Sequence, residues 1–158
     1  MPVAADIVQS WFRPRAVIRR LLARGTSEAF ALSFLLIFLA LSLAAISPGL
    51  ARQAWLDGGT PVAPRLFAAA LGLLATLPLW YLLAALGHLA SRALGGRGSH
   101  FSGRLALFWS LLAVSPGLLL QGLVLGFVGP GQAAGVIGIA VGVGFLSIWV
   151  QTLREVES

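Results

Sequence analysis

The sequence predicts an all-α membrane protein, a bundle of four transmembrane helices preceded by an N-terminal amphipathic interfacial helix. Of its 158 residues, 58% are hydrophobic and 10% are charged, whereas soluble domains carry about 25% charged residues. Three stretches, 29–51, 66–91 and 105–153, contain no acidic residue and no arginine. Because a spanning helix needs about 20 apolar residues, each stretch is long enough to cross a bilayer.

The third stretch is too long for one crossing and is divided by a turn. Its dividing segment is Gly129-Pro130-Gly131-Gln132, and glycine and proline are typical of tight turns. We therefore predict helices at about 28–48, 66–92, 104–128 and 133–152. They form one transmembrane domain, 28–153, between an N-terminal segment, 1–27, and a short tail, 154–158.

The distribution of arginines predicts the orientation. All eleven basic residues are arginine, and only Arg52 and Arg65 fall outside the three segments that share one side of the membrane. The positive-inside rule then places both termini in the cytoplasm. The absence of lysine indicates a bacterial source, so the predicted location is the bacterial inner membrane. Cleavage of the first helix as a signal peptide is the alternative, but the apolar run after Glu28 is long for a signal core.

The N-terminal segment 1–27 is basic and amphipathic. Pro14 suits a first helical turn, and the apolar residues that follow fall on one face with arginines largely off it. This pattern predicts a helix in the cytoplasmic interface, with its arginines near anionic lipid phosphates; a solvated basic tail is the alternative. The candidate headgroup ligands, which include two residues of the loop after the second span, are Arg15, Arg19, Arg20, Arg24, Arg92 and Arg97.

Two segments of the chain resemble each other. Residues 42–53 (SLAAISPGLARQ) and 110–121 (SLLAVSPGLLLQ) are identical at eight of twelve positions. They could mark a parallel repeat of two-helix halves, or chance similarity in a chain rich in Leu, Ala and Gly. In either case the prolines predict that Pro48 ends a helix and that Pro78 and Pro116 kink theirs.

Few side chains that could perform chemistry lie in the predicted spans. They contain no Asp, Glu, Lys or Arg, and the whole chain has no cysteine and two histidines. Proton relays, metal sites and Ser-His-acid catalysis all need such groups close together. The sequence therefore predicts no enzyme activity, no catalytic residue, no metal and no cofactor. The net charge of +6 does not indicate nucleic-acid binding, because no separate basic domain is present.

Three features within the spans have alternative interpretations. Gln121 could contact a substrate near the Pro116 kink, although an interhelical hydrogen bond is the preferred interpretation. His88 could sense pH or bind a headgroup, but it more simply marks the interface. Gly138 and Gly142 form a small-xxx-small pair, which predicts close helix packing inside the bundle in preference to dimerisation.

The loop after the second span carries a family resemblance. Residues 88–99 (HLASRALGGRGS) resemble the Yip1 domain, with a basic residue, Leu-Gly-Gly, a second basic residue and Gly, followed by a helix with a central proline. The entry segment 11–15 (WFRPR) also resembles the family, and the likeness is to short proteobacterial members. Many members have five membrane helices and this chain has four. The resemblance implies a membrane-organising protein; small-GTPase binding, known for eukaryotic members, does not transfer.

Three functions follow as hypotheses. The first is a non-enzymatic membrane scaffold or membrane-shaping protein that binds anionic lipid headgroups on the cytoplasmic side. The second is a small transporter or channel component, for which Gln121 and the paired Pro-Gly elements are the motive. The third is an accessory subunit of a larger membrane complex, or a homo-oligomer, which the glycines of the fourth helix would favour.

Overall fold

The computed structural model describes residues 2–25 and 27–158, and every regular element in them is an α-helix. Eight helices follow one another along the chain. Their bounds are α1 Val3–Ser10, α2 Pro14–Leu22, α3 Glu28–Leu56, α4 Ala63–Ala75, α5 Leu77–Ala93, α6 His100–Ala113, α7 Ser115–Phe127 and α8 Gln132–Glu157.

Four helical segments are long and apolar enough to cross a membrane, which confirms the predicted fold class. They are Glu28–Leu56, Ala63–Ala93, His100–Phe127 and Gln132–Glu157. Short turns connect the four segments. The first and third therefore run in one direction, and the second and fourth run in the opposite direction. The start of the first segment and the end of the fourth therefore lie at one end of the bundle, which we call the terminal end.

The prediction that Pro48 ends the first span is wrong, because α3 continues to Leu56. Proline lacks the N–H that would bond to the carbonyl four residues earlier. The hydroxyl of Ser47 instead donates to that carbonyl, on Ala44, at 2.8 Å. A local side chain thus supplies the missing donor, and the helix passes through the proline.

The kinks predicted at Pro78 and Pro116 are present as breaks between paired helices. The second span divides at Thr76, and Pro78 lies in the first turn of α5. The third span divides at Val114, and Pro116 lies in the first turn of α7. Proline is favoured at both positions because the first turn of a helix has no internal partner for its N–H groups.

The helix breaks do not follow the sequence similarity between 42–53 and 110–121. The first span is continuous through Pro48, whereas the third is broken beside the equivalent Pro116. The parallel repeat stays a hypothesis, since the two segments adopt different backbone paths.

The closest helix packing in the bundle lies between α3 and α7. A Cβ atom added at Gly122 would meet the carbonyl of Ala45, and one added at Gly126 would meet Pro48. The glycines thus let two backbones touch, as small-xxx-small pairs do in membranes. The predicted pair on α8 behaves differently: Gly138 lies against the Gln121 side chain, while nothing lies within 4 Å of a Cβ at Gly142.

We expect Gly122→Leu to destabilise the bundle and Gly142→Leu to leave it nearly unchanged. Overpacking a close contact costs about 1–3 kcal/mol, and the leucine at residue 122 would strike backbone, which cannot move aside. Both variants gain the same helix propensity, so residue 142 is a matched control. Thermal unfolding of the detergent-purified protein measures the difference, and equal unfolding temperatures would contradict the α3–α7 contact.

Candidate functional site

Most charged side chains of the protein lie at the terminal end. Helices α1 and α2 form a hairpin there, which we call the N-terminal hairpin, Val3–Leu22. Ion pairs close it: Arg20 lies 2.8 Å and Arg24 3.6 Å from the carboxylate of Asp6. Arg20 also donates to the side-chain oxygen of Gln9 at 2.5 Å. Asp6 is almost fully buried, so it needs these partners.

The apolar face of α2 packs into the protein. Val17, Ile18 and Leu21 are fully buried and belong to the main core, together with Trp109 of α6. The interfacial position predicted for this helix is therefore not confirmed. Its amphipathic pattern is real, but neighbouring helices cover the apolar face that lipid was expected to cover. Arg19 pairs with Glu155 of α8 at 3.3 Å, which places α2 alongside α8.

Two tryptophans fix the hairpin to the third span. The indole N–H of Trp109 donates to the hydroxyl of Ser10 at 2.8 Å. The indole N–H of Trp11 donates to the carbonyl of Ala113 at 2.9 Å. Ala113 is the last residue of α6, and its carbonyl is left free because α6 stops before Pro116. Trp11 therefore satisfies a backbone group that lipid could not.

The tip of the hairpin reaches the middle of the bundle. The ring of Trp11 lies against Gly144, where a Cβ would stand 2.7 Å away. Ala113 is thirteen residues from the start of α6, and Gly144 is thirteen from the end of α8. At 1.5 Å per residue both lie about 20 Å from the terminal end. The hairpin thus enters from the terminal end and stops half-way.

The outer side of the hairpin tip is apolar and exposed. Phe12 is 81% exposed and Val8 61% exposed, while Trp11 is partly covered by α6 and α8. Neighbouring helices therefore leave part of this apolar surface uncovered.

The predicted headgroup arginines fall into two groups. Arg19, Arg20 and Arg24 make the ion pairs given above. Arg15, Arg92 and Arg97 have exposed side chains without an acidic partner in the described residues. Arg13 and Arg154, which were not singled out from the sequence, share this second arrangement.

A second polar cluster joins the loop after α5 to the end of α8. The Glu157 carboxylate lies 2.6 Å from Nδ1 of His88 and accepts the N–H of Gly98 at 3.0 Å. The main-chain carbonyl of Glu157 accepts the N–H of Arg97 at 2.8 Å. His88 and Glu157 are 2% and 5% exposed. We call this arrangement the C-terminal latch.

The glycines of the loop make the latch possible. A Cβ at Gly98 would stand 2.5 Å from the carbonyl of Val156, and one at Gly96 would stand 2.7 Å from the Glu157 carboxylate. Gly95 has a φ of 93°, a backbone conformation that residues with a side chain rarely adopt. The Leu-Gly-Gly-Arg-Gly motif thus packs against the end of α8.

An acid lies beside His88 in the folded chain. Glu157 is 69 residues away in sequence, so its closeness to this histidine could not be read from the sequence. The His100 ring lies 4.4 Å from the His88 ring, measured between centroids. Within residues 2–25 and 27–158, no group of three or more His, Asp or Glu side chains could hold a metal ion.

The side chain of Gln121 bonds within the bundle. Its Nε2 donates to the carbonyl of Ala134 at 3.2 Å, which links α7 to the first turn of α8. The interhelical hydrogen bond preferred in the sequence analysis is present. Gly138 makes room for the amide, since a Cβ there would stand 2.5 Å from Nε2.

Comparison with known proteins assigns the family. The Yip1 domain model matches residues 8–157, nearly the whole chain, so the chain belongs to the Yip1 domain family. The matched range contains α2, the tip of the hairpin and both partners of the latch. No curated protein and no solved structure matches the chain.

We expect Glu157→Ala to destabilise the protein more than Glu155→Ala. The first change leaves His88 buried without its carboxylate partner, and its Nε2 already has none; an unpaired buried polar group costs about 1–3 kcal/mol. The second removes only the pair with Arg19, which is 67% exposed, and exposed pairs contribute at most about 1 kcal/mol. Unfolding in mixed micelles containing SDS measures both, and equal losses would contradict the latch.

Proposed function

We propose that this Yip1-family protein is a non-enzymatic, membrane-organising protein of the bacterial inner membrane, with both termini in the cytoplasm. The observation that supports it is the packing of the N-terminal hairpin against the third and fourth spans. Trp11 contacts Ala113 and Gly144 in the middle of the third and fourth spans. The protein therefore adds two helices to one leaflet and none to the other.

The added cross-section is large relative to the bundle. A helix with its side chains is about 10 Å wide and occupies roughly 80 Å² of membrane area. Four helices then occupy roughly 310 Å² in the outer leaflet, and six occupy roughly 470 Å² in the leaflet of the terminal end. A protein whose area is half as large again in one leaflet favours membranes in which that leaflet is on the convex side.

The arginines support the cytoplasmic position of the terminal end. Nine of the eleven belong to segments at this end, and only Arg52 and Arg65 belong to the other. The excess of arginine on short segments beside spans sets orientation during insertion. At the opposite end Arg65 pairs with Asp57 at 2.6 Å, so one of the two arginines there is balanced by an acid.

Anionic lipid headgroups are the proposed partners of the terminal end. The cytoplasmic leaflet carries negative surface potential, and each nearby arginine contributes about 1 kcal/mol of attraction. Five exposed arginines at this end have no acidic partner among the described residues, and they are available for such contacts: Arg13, Arg15, Arg92, Arg97 and Arg154.

We expect residue 12 to lie in hydrocarbon and residue 92 to lie in water. The chain has no cysteine, so Phe12→Cys and Arg92→Cys each create a single site for a spin label. Relaxation by oxygen, which concentrates in lipid, should dominate at residue 12, and relaxation by a water-soluble nickel chelate should dominate at residue 92. Similar accessibility of both labels to the chelate would contradict the inserted hairpin.

We expect the protein to concentrate in curved membrane according to its orientation. In narrow tubes pulled outward from giant vesicles, molecules with the terminal end outside should be enriched relative to the flat membrane. Molecules of the same protein with the terminal end inside should be depleted, and they form the matched control. Equal density of both orientations in tube and flat membrane would overturn the membrane-organising function.

A further inference from the structure

A basic groove lies between the hairpin and α8. Its volume is about 500 Å³, and its lining comes from the start of α2 and from one residue of α8. The lining residues are Phe12, Arg13, Pro14, Arg15, Ala16, Arg19 and Gln151.

The charge of the groove is not balanced by protein. Arg19 pairs with Glu155, whereas Arg13 and Arg15 are exposed and have no acidic partner among the described residues. Of the three arginines that line the groove, only Arg19 therefore has a carboxylate partner among the described residues. Paired guanidinium groups bind phosphate oxygens through short charge-assisted hydrogen bonds, so an anion with phosphate oxygens complements this charge.

The position of the groove points to a lipid. Twenty residues of α8, counted from Gln132, end at Gln151, and about 20 residues cross the hydrocarbon core. Gln151 therefore lies where acyl chains meet phosphates. Gly144, which contacts the hairpin tip, lies seven residues or about 10 Å further into the hydrocarbon.

The lining changes from charged to apolar over the same distance. Phe12, the most exposed aromatic side chain of the hairpin, lines the groove beside Arg13. A soluble phosphate compound would gain nothing from this ring. A phospholipid can place its phosphate at the arginines and an acyl chain along Phe12, so both parts of the groove are used.

We propose that this groove is a binding site for an anionic phospholipid, with the phosphodiester between Arg13 and Arg15 and an acyl chain against Phe12. The assignment rests on the inserted hairpin of the proposed function. It distinguishes these two arginines from the other exposed arginines of the terminal end, which contact headgroups only through general surface charge. Through this site the lipid composition of the membrane acts on the N-terminal hairpin, which enlarges the cross-section of the protein in one leaflet.

The test compares two double variants of equal charge in the full-length protein. Detergent-purified wild type, Arg13→Gln/Arg15→Gln and Arg92→Gln/Arg97→Gln are titrated with phosphatidylglycerol or phosphatidylcholine, and retained lipid is counted by native mass spectrometry. We expect wild type to prefer phosphatidylglycerol. The groove variant should bind it roughly tenfold more weakly, and the loop variant should bind it as wild type does.

Three results would overturn the site: equal weakening in both double variants, equal retention of the two lipids by wild type, or wild-type binding by the groove variant. Phe12→Ala tests the acyl contact and should weaken lipid binding. Displacement of the lipid by soluble glycerol phosphate at comparable concentration would assign the groove to a free phosphate compound instead. A spin label at residue 12 that reports hydrocarbon, together with a groove variant that binds normally, would retain the proposed function and reject only the lipid site.

Discussion

The hydrogen bond from the Trp11 indole to the Ala113 carbonyl joins the N-terminal hairpin to the third span at mid-depth. The carbonyl is free because the helix breaks before Pro116, and a free carbonyl in hydrocarbon needs a partner. Because Trp11 can supply that partner only from within the bundle, the hairpin must pack against the spans. The burial of α2, the exposure of Phe12 and the basic groove beside α8 all depend on this packing.

The prolines show how far the fold could be predicted. Hydropathy located the four spans because lipid requires long apolar helices, and Pro78 and Pro116 interrupt helices as proline chemistry predicts. Pro48 was predicted to end a helix because proline lacks the backbone N–H, but α3 continues through it. The hydroxyl of Ser47 donates a hydrogen bond to the carbonyl of Ala44 and replaces the missing N–H. The carbonyls just before Pro116 instead accept hydrogen bonds from backbone N–H groups and from the Trp11 indole.

The candidate site was harder to predict, because its contacts join residues distant in sequence. His88 had no acid within reach along the chain, and Glu157 was assigned to a short tail after the last span. The fourth helix continues to Glu157 and brings it to His88. One signal was available in the sequence. Closely spaced glycines such as Gly96 and Gly98 indicate that another part of the chain lies close to the loop. What approaches could be found only from the packed bundle.

The amphipathic pattern of α2 was recognised, but its apolar face was assigned to the wrong neighbour. A hydrophobic stripe indicates that one face of a helix is covered, but it does not indicate whether lipid or protein covers that face. Asp6 decides between the two. A buried carboxylate is stable only beside its cations, so its pairing with Arg20 and Arg24 folds α1 back along α2 and makes a hairpin. Arg13 and Arg15 have no acidic partner in the described residues, and we propose that they bind lipid. Asp6 and Glu155 thus separate the arginines that form structural ion pairs, Arg19, Arg20 and Arg24, from the arginines that stay unpaired among the described residues.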